Sequence, residues 1–272
     1  MKKIIVHVLS ILLILFVISV KSDAQAGTVM IGAKAWYLEW DSAFDKAIAD
    51  ALVKELNNTN PSQKWSANVK PGTGFLAGPL LGYQTDDNKW SFSSAFMFVN
   101  SFQTKSEWSE SNVYHSVVGT KTTMDRKDID LSVSYLLLDF MKVFAGFKYV
   151  TANYDVNFES DGSDFYNAKM TSKIPTAGIA VATSISENLV IGLQVGVMYI
   201  IPSYKMDGET VKADNSYGFT VEPNISYTIT ENFMIQLGIR YQIYNVKFTE
   251  PGWSVTKNDR LLGGTVSAVY LW

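Results

Sequence analysis

From residue 27 onward the chain is ruled by a two-residue alternation. Ile129, Leu131, Val133, Tyr135 and Leu137 alternate with Asp128, Asp130, Ser132 and Ser134. Ile235, Leu237, Ile239, Tyr241 and Ile243 oppose Gln236, Gly238, Arg240 and Gln242, and Trp90, Phe92, Phe96 and Phe98 oppose Ser91, Ser93, Ala95 and Met97. Neighbouring strand residues point to opposite faces, so this is the pattern of strands with one apolar and one polar face. Ten such runs can be read, over 28–40, 74–85, 89–104, 127–138, 142–157, 172–185, 189–205, 215–230, 233–248 and 259–272. Each reaches the roughly 9–11 residues that a tilted strand needs to cross a bilayer. The pattern predicts an all-β, antiparallel, up-and-down transmembrane barrel of about ten strands. The first two runs alternate poorly, which leaves eight as the alternative count.

The connections alternate as well. Thr85-Asp86-Asp87-Asn88, Asp139-Phe140-Met141, Ser186-Glu187-Asn188 and Glu231-Asn232 are tight turns, whereas 41–73, 105–126, 158–171, 206–214 and 249–258 are long. Membrane barrels have short turns on the periplasmic side and longer loops outside, which puts both chain ends on the periplasmic side. The first long connection contains a short helix: Phe44, Ile48, Leu52 and Leu56 recur at four-residue steps, and Ser42 with Asp45 forms a capping arrangement before them. It reads either as a plug over the barrel mouth or as a helix packed on the rim.

The first 26 residues break this pattern. Lys2 and Lys3 precede an apolar stretch from Ile4 to Val20, and Ala24-Gln25-Ala26 offers a small-x-small exit. This is the layout of a cleaved signal peptide over 1–26, with the barrel domain over 27–272. The remaining alternative is a permanent N-terminal span. The net charge of −3 becomes more acidic once Lys2, Lys3, Lys21 and Asp23 leave, which argues against nucleic acid as a partner. Cysteine is absent, so disulfides, thiolate metal sites, a cysteine nucleophile and a lipoprotein anchor are excluded.

The last run ends Val266-Ser267-Ala268-Val269-Tyr270-Leu271-Trp272. An aromatic final residue, with Tyr270 two before it and apolar residues at further two-residue steps, resembles the terminal signature of bacterial outer-membrane proteins. The resemblance to the outer-membrane β-barrel superfamily, in its small porin-like form, covers 27–272 as a pattern and reaches no narrower family. It implies a Gram-negative outer membrane, contact with its lipids, and recognition of Tyr270 and Trp272 by the barrel-assembly machinery.

Alternation does not say which face looks outward, and a soluble periplasmic or secreted ligand-carrying barrel would turn the apolar face inward. Lipid-facing apolar residues are favoured by aromatic residues near strand ends (Trp36, Tyr37 and Trp40; Tyr83 and Trp90; Tyr199 and Tyr204; Tyr270 and Trp272), the positions of membrane girdles. The polar faces carry both signs of charge, and Asp128, Asp130, Lys148, Glu222 and Arg240 are expected to pair as a network in the lumen. Pro79, Pro175, Pro202 and Pro223 fall in or near strands, where each needs a bulge, a rim or a broken ladder.

No catalytic constellation is legible. His115 is the sole histidine after the leader, and it lacks a local nucleophile and orienting acid. Asp128-Ile129-Asp130 is similar to the Asp-x-Asp pair of the omptin proteases, but their Asp-x-His dyad has no counterpart. His115 and Ser116 are adjacent and would point opposite ways on a strand, which disfavours a lipid-modifying Ser-His pair. Glu107, Glu110, Asp161 and Asp164 could hold calcium only weakly. The expectation is therefore a non-enzymatic barrel without cofactor or metal. It would serve as a narrow channel for small solutes, or as a surface-binding or scaffold protein acting through Trp108, Tyr114, Phe165, Tyr166 and Trp253 in the long loops, where an extracellular ligand could dock.

Overall fold

The computed structural model describes residues 27–272 apart from 60–61, 63, 101, 111–116, 159–161, 163, 207–208 and 251–252. The expected leader, Asp161, and the Tyr114-His115-Ser116 segment lie outside the described residues. The elements are β1 (Thr28–Asp41), α1 (Ala43–Thr59), β2 (Trp65–Val69), β3 (Gly72–Gln84), β4 (Trp90–Met97), β5 (Val99–Asn100), β6 (Phe102–Glu110), β7 (Val117–Leu138), β8 (Met141–Phe158), β9 (Asp164–Ser186), β10 (Leu189–Met206), β11 (Glu209–Val211), β12 (Ser216–Thr230), β13 (Phe233–Glu250) and β14 (Trp253–Leu271).

Ten strands close a ring in the order β1-β14-β13-β12-β10-β9-β8-β7-β4-β3, and β3 pairs back onto β1. Every pairing is antiparallel, from Ala33↔Ala268 on one side of β1 to Ala33↔Pro79 on the other. Closure leaves none of these ten strands with an unpaired side, which a bilayer demands because it offers no water to unpaired backbone groups. The ends meet where Val29 and Trp272 exchange two backbone hydrogen bonds of 2.8 Å. The four short connections are tight turns. In the first, Asn88 takes a φ of 58°, and its backbone N–H donates to the Thr85 carbonyl at 2.8 Å. Asparagine tolerates that left-handed geometry better than most residues.

The expected long connections are largely strand. The loops at 105–126 and 158–171 give way to extensions of β6, β7 and β9, so β7 runs 22 residues and β9 runs 23. β5 and β6 continue the line of β4 past a break, β2 pairs with β6, and β11 pairs with β10 above the end of β12. The wall therefore rises well beyond the length needed to cross a membrane.

Each proline sits where the ladder is interrupted. Pro175 falls in a gap between the pairs Met198↔Thr176 and Ile201↔Lys173, and Pro223 in a gap between Val221↔Tyr241 and Asn224↔Gly238. Pro79 lies where β3 passes from β4 to β5, and Pro202 between the last β12 partner of β10 and its first β11 partner. A residue without an N–H weakens nothing where no bond is made.

The outer face divides by height. On β13 the outward residues from Phe233 to Ile243 are apolar, and Asn245, Lys247 and Thr249 follow them. That apolar run is about 35 Å along the strand, which a tilt of about 40° reduces to roughly 27 Å of height, close to the ~25 Å band of membrane barrels. Ile239, 58 % exposed, and Val197, Leu237, Ile225 and Leu193 continue the band around the wall. Tyr83, Trp90, Tyr227, Tyr270 and Trp272 ring its lower edge, and Tyr37, Phe75, Tyr217 and Phe219 its upper edge, all exposed. The soluble carrier, which needs its apolar face inward throughout, does not fit this belt. Trp36, Trp40 and Tyr204 depart from the expected girdle: all three are fully buried inside the wall. Adjacent apolar residues such as Trp36 and Tyr37 occupy both faces, so composition alone could not phase them.

Candidate functional site

The lumen has three levels. The middle one is ionic. Arg126 grips Asp128 through two bonds of 2.8 and 3.0 Å, and Lys148 reaches Asp128 at 3.2 Å and Asp130 at 3.3 Å. Arg240 bridges Asp130 at 3.8 Å and Glu222 at 2.5 Å, and Thr265 donates to the other oxygen of Glu222 at 2.9 Å. Trp36 lies against two of the cations, with Lys148 at 5.3 Å and Arg240 at 5.4 Å from its ring. The structure thus brings Asp128, Asp130, Lys148, Glu222 and Arg240 into one cluster spanning β7, β8, β12 and β13. Asp128 and Asp130 stand in the middle of β7 rather than at an outer rim, because β7 continues 11 residues above Asp128. Both are tied to cations, which leaves neither poised to activate a water at the surface. Sequence reading missed Lys34 and Arg126. Arg126 carried a signal in parity, being in step with Asp128, whereas Lys34 is in step with Trp36, which the sequence reading had placed in the outer girdle.

The upper level is apolar. Val150, Ala152 and Tyr154 of β8, Met170 of β9, Ile200 and Tyr204 of β10, and Val246 and Phe248 of β13 all point inward and are buried. The N-terminal turn of α1 is inserted among them. Phe44 stacks on Tyr204 at 4.9 Å and lies 5.4 Å from Tyr154 and 6.1 Å from Phe248, so its ring meets three separate strands of the wall. Trp40, at the top of β1, packs on Phe102 and Tyr154, and Arg126 covers its ring at 4.7 Å. Of the two expectations for the helix, the plug is the arrangement found, and only the far end of the apolar stripe, at Leu56, is exposed.

The plug is held by polar groups. The Asp259 carboxylate accepts from Trp40 Nε1 at 2.9 Å and from the backbone N–H of Ala43 at 3.2 Å, placing an anion at the positive end of the helix. Ser42 caps the turn, accepting from the Asp45 N–H at 3.3 Å. Lys46 donates to the Asn258 carbonyl at 2.8 Å, Lys257 pairs with Asp50, and Asn57 exchanges two hydrogen bonds with the backbone of Trp65. Asp45 is buried with one carboxylate oxygen unpartnered. Burial pushes its carboxyl up to about 7; Asp259 and Asp41 add to this, and the Ser42 bond and Lys46 oppose it.

The lower level is lined mostly by small and polar side chains, with Leu80 and Phe144 among them, and beside the ionic cluster it opens into a cavity of about 180 Å³. Of the expected loop contacts, Trp108 is buried, its indole N–H donating to Thr120 at 3.3 Å, because β6 is part of the wall. Glu107 pairs with Lys70 across β2 and β6 at 2.5 Å. Among the described residues no group of acidic or histidine side chains has the spacing to hold a metal.

No family model and no curated protein matches the chain. Solved structures do. The outer membrane protease OmpT from Escherichia coli is similar with a TM-score of 0.50 at 8 % identity, covering 91 % of this chain and 97 % of that one. The translocator domain of the autotransporter NalP from Neisseria meningitidis gives 0.45 at 9 % identity over 92 % and 90 %. The outer membrane protein OprG from Pseudomonas aeruginosa gives 0.39 at 13 % identity over 92 % and 99 %. At such identities the likeness speaks for the fold: this chain has a closed antiparallel β-barrel fold like that of the protease, with a wall of ten strands and an apolar belt on its outer face.

Proposed function

We propose that the protein is a non-enzymatic barrel that acts at the cell surface, as a binding or scaffold protein, and not as an open pore. The observation that carries this reading is the plug: Phe44 of α1 and the side chains packed around it fill the upper lumen. Small barrels are filled by their own side chains, and open channels come with many more strands. The raised wall and its loops would present the surface that a partner or extracellular ligand meets. Refolded protein in a planar bilayer should give no steady conductance, and unitary steps of constant size would sink the surface reading.

The second reading is a narrow channel gated by α1. It draws on the ionic cluster and on the polar cavity below it. Deleting 43–59 separates the two: a gated channel should then conduct, and a filled scaffold should stay silent. Assembly is a separate matter. Tyr270 and Trp272 project from the lower edge of the belt, where the assembly machinery would read them. Trp272→Gln should lower the amount of heat-modifiable protein in outer-membrane fractions, and unchanged amounts would dismiss that role.

A further inference from the structure

The middle level of the lumen holds more cations than carboxylates. Asp128 is engaged by Arg126 and Lys148, Asp130 by Lys148 and Arg240, and Glu222 by Arg240 and Thr265. Lys34, projecting from β1 into the same space, takes part in none of these ion pairs. Lys34 is partly buried, and a cation partly withdrawn from water without an ion-pair partner gains when a counter-charge binds. The cavity of about 180 Å³ lies beside it, bordered by Lys34, Ser93, Thr176, Gln194, Thr220 and Gln242. Hydroxyls and carboxamides donate hydrogen bonds, so this wall offers donors around a surplus cation. Asp130 and Glu222 also border the space, but their charge is met by Lys148 and Arg240. The apolar plug closes the way up. Ser93, three residues above the first tight turn, is exposed, so the cavity opens toward the end of the barrel that carries the short turns.

We propose that this cavity is a binding site for one small oxyanion, either an inorganic oxyanion or a short carboxylate, held by Lys34 and entered from the periplasm. It is independent of the surface role, because a shut lumen can still hold an anion. The site also gives the unpaired lysine a counter-charge without disturbing the three engaged carboxylates.

The test is calorimetric titration of the refolded full barrel, in detergent and a buffer lean in small anions, with sodium phosphate and with sodium acetate; glycerol serves as the uncharged control. Saturable one-to-one uptake of either anion is expected, and which of the two binds assigns the source. The temperature at which the compact gel band disappears should rise with that anion, since a ligand held only by the folded state stabilises it. Lys34→Met should weaken uptake at least tenfold and make that temperature insensitive to the anion, while Lys34→Arg should retain binding. Gln194→Leu keeps the charge count and should weaken uptake severalfold, which gives a second route if Lys34→Met does not refold. Absence of saturable uptake by the unaltered barrel, or equal affinity after Lys34→Met or Gln194→Leu, would overturn the proposal.

Discussion

Along β8 the outward side chains change from Val143, Phe147 and Tyr149 to Thr151, Asn153 and Asp155, while the inward ones change from Gly146 and Lys148 to Val150, Ala152 and Tyr154. The same exchange occurs on β13, where outward Leu237 and Ile239 give way to Asn245 and Lys247, and inward Gly238 and Arg240 give way to Val246 and Phe248. One continuous sheet thus encloses two environments. The lower barrel is apolar outside and polar inside. The upper barrel is polar outside with an aromatic core, as in a water-soluble protein. What differs is the solvent each wall faces: hydrocarbon below, where every outward polar group is costly, and water above, where apolar side chains gain by leaving it. The ionic cluster around Asp128 and Arg240 lies at the junction.

That contrast can be broken at several points. The largest effect should come at the junction: Asp128→Leu takes from Arg126 its two-bond carboxylate and from Lys148 one of its two carboxylates, and loss of one partner of a buried pair costs about 3–5 kcal/mol, read as a lower urea midpoint for the refolded barrel. Phe44→Ala should empty the centre of the upper core at about 3–5 kcal/mol and speed proteolysis within α1, while leaving membrane insertion intact. If insertion fails instead, the two halves do not act separately.

The outer faces should respond unequally. Ile239→Lys, in the belt, should cost about 2–4 kcal/mol, and Lys169→Leu, exposed on the upper wall, should stay within about 0.5 kcal/mol. Equal costs in lipid vesicles would mean that the outer face has no boundary between belt and upper wall.

The last effect is local, a pH dependence confined to the plug. Because the buried Asp45 carboxyl is raised to about 7, the folded state holds a proton that the unfolded chain releases near pH 4. The stabilisation is complete below that lower value and is lost as pH rises through 7. Protection of the α1 amides, corrected for the intrinsic rise of exchange with pH, should therefore fall between pH 4 and pH 7, and Asp45→Asn should flatten the profile. Asp259, Asp41, Lys46, Tyr154 and Tyr204 surround the same carboxyl, so a slope that survives Asp45→Asn belongs to one of them.

The lower barrel was readable because its alternation is strict and its turns are short. Asp139-Phe140 and Glu231-Asn232 mark where the chain reverses, and Ile235 to Ile243 mark which residues share a face. The upper barrel was harder. In β6 and β7 the inward positions include Thr104, Ser106, Thr120 and Thr122, all buried but polar, so the segment reads as a hydrophilic loop. Trp108 looked like a surface contact for the same reason. In the site, Asp128, Asp130, Lys148, Glu222 and Arg240 could be grouped by parity, but Lys34 sits in the poorly alternating first strand, and Asp259 pairs with groups that only the fold brings near.

By itself the sequence determined an antiparallel wall of about ten strands and its four short turns, because a two-residue period and turn-forming residues act locally. Only the tertiary structure decided that inside and outside exchange character above Asp128, that α1 enters the lumen, and that Trp36 and Trp40 face inward while Tyr37 faces lipid. The physical reason is that an apolar side chain is equally well placed in lipid or in a packed core. Its height on the wall and the direction in which the sheet curls settle which one it meets.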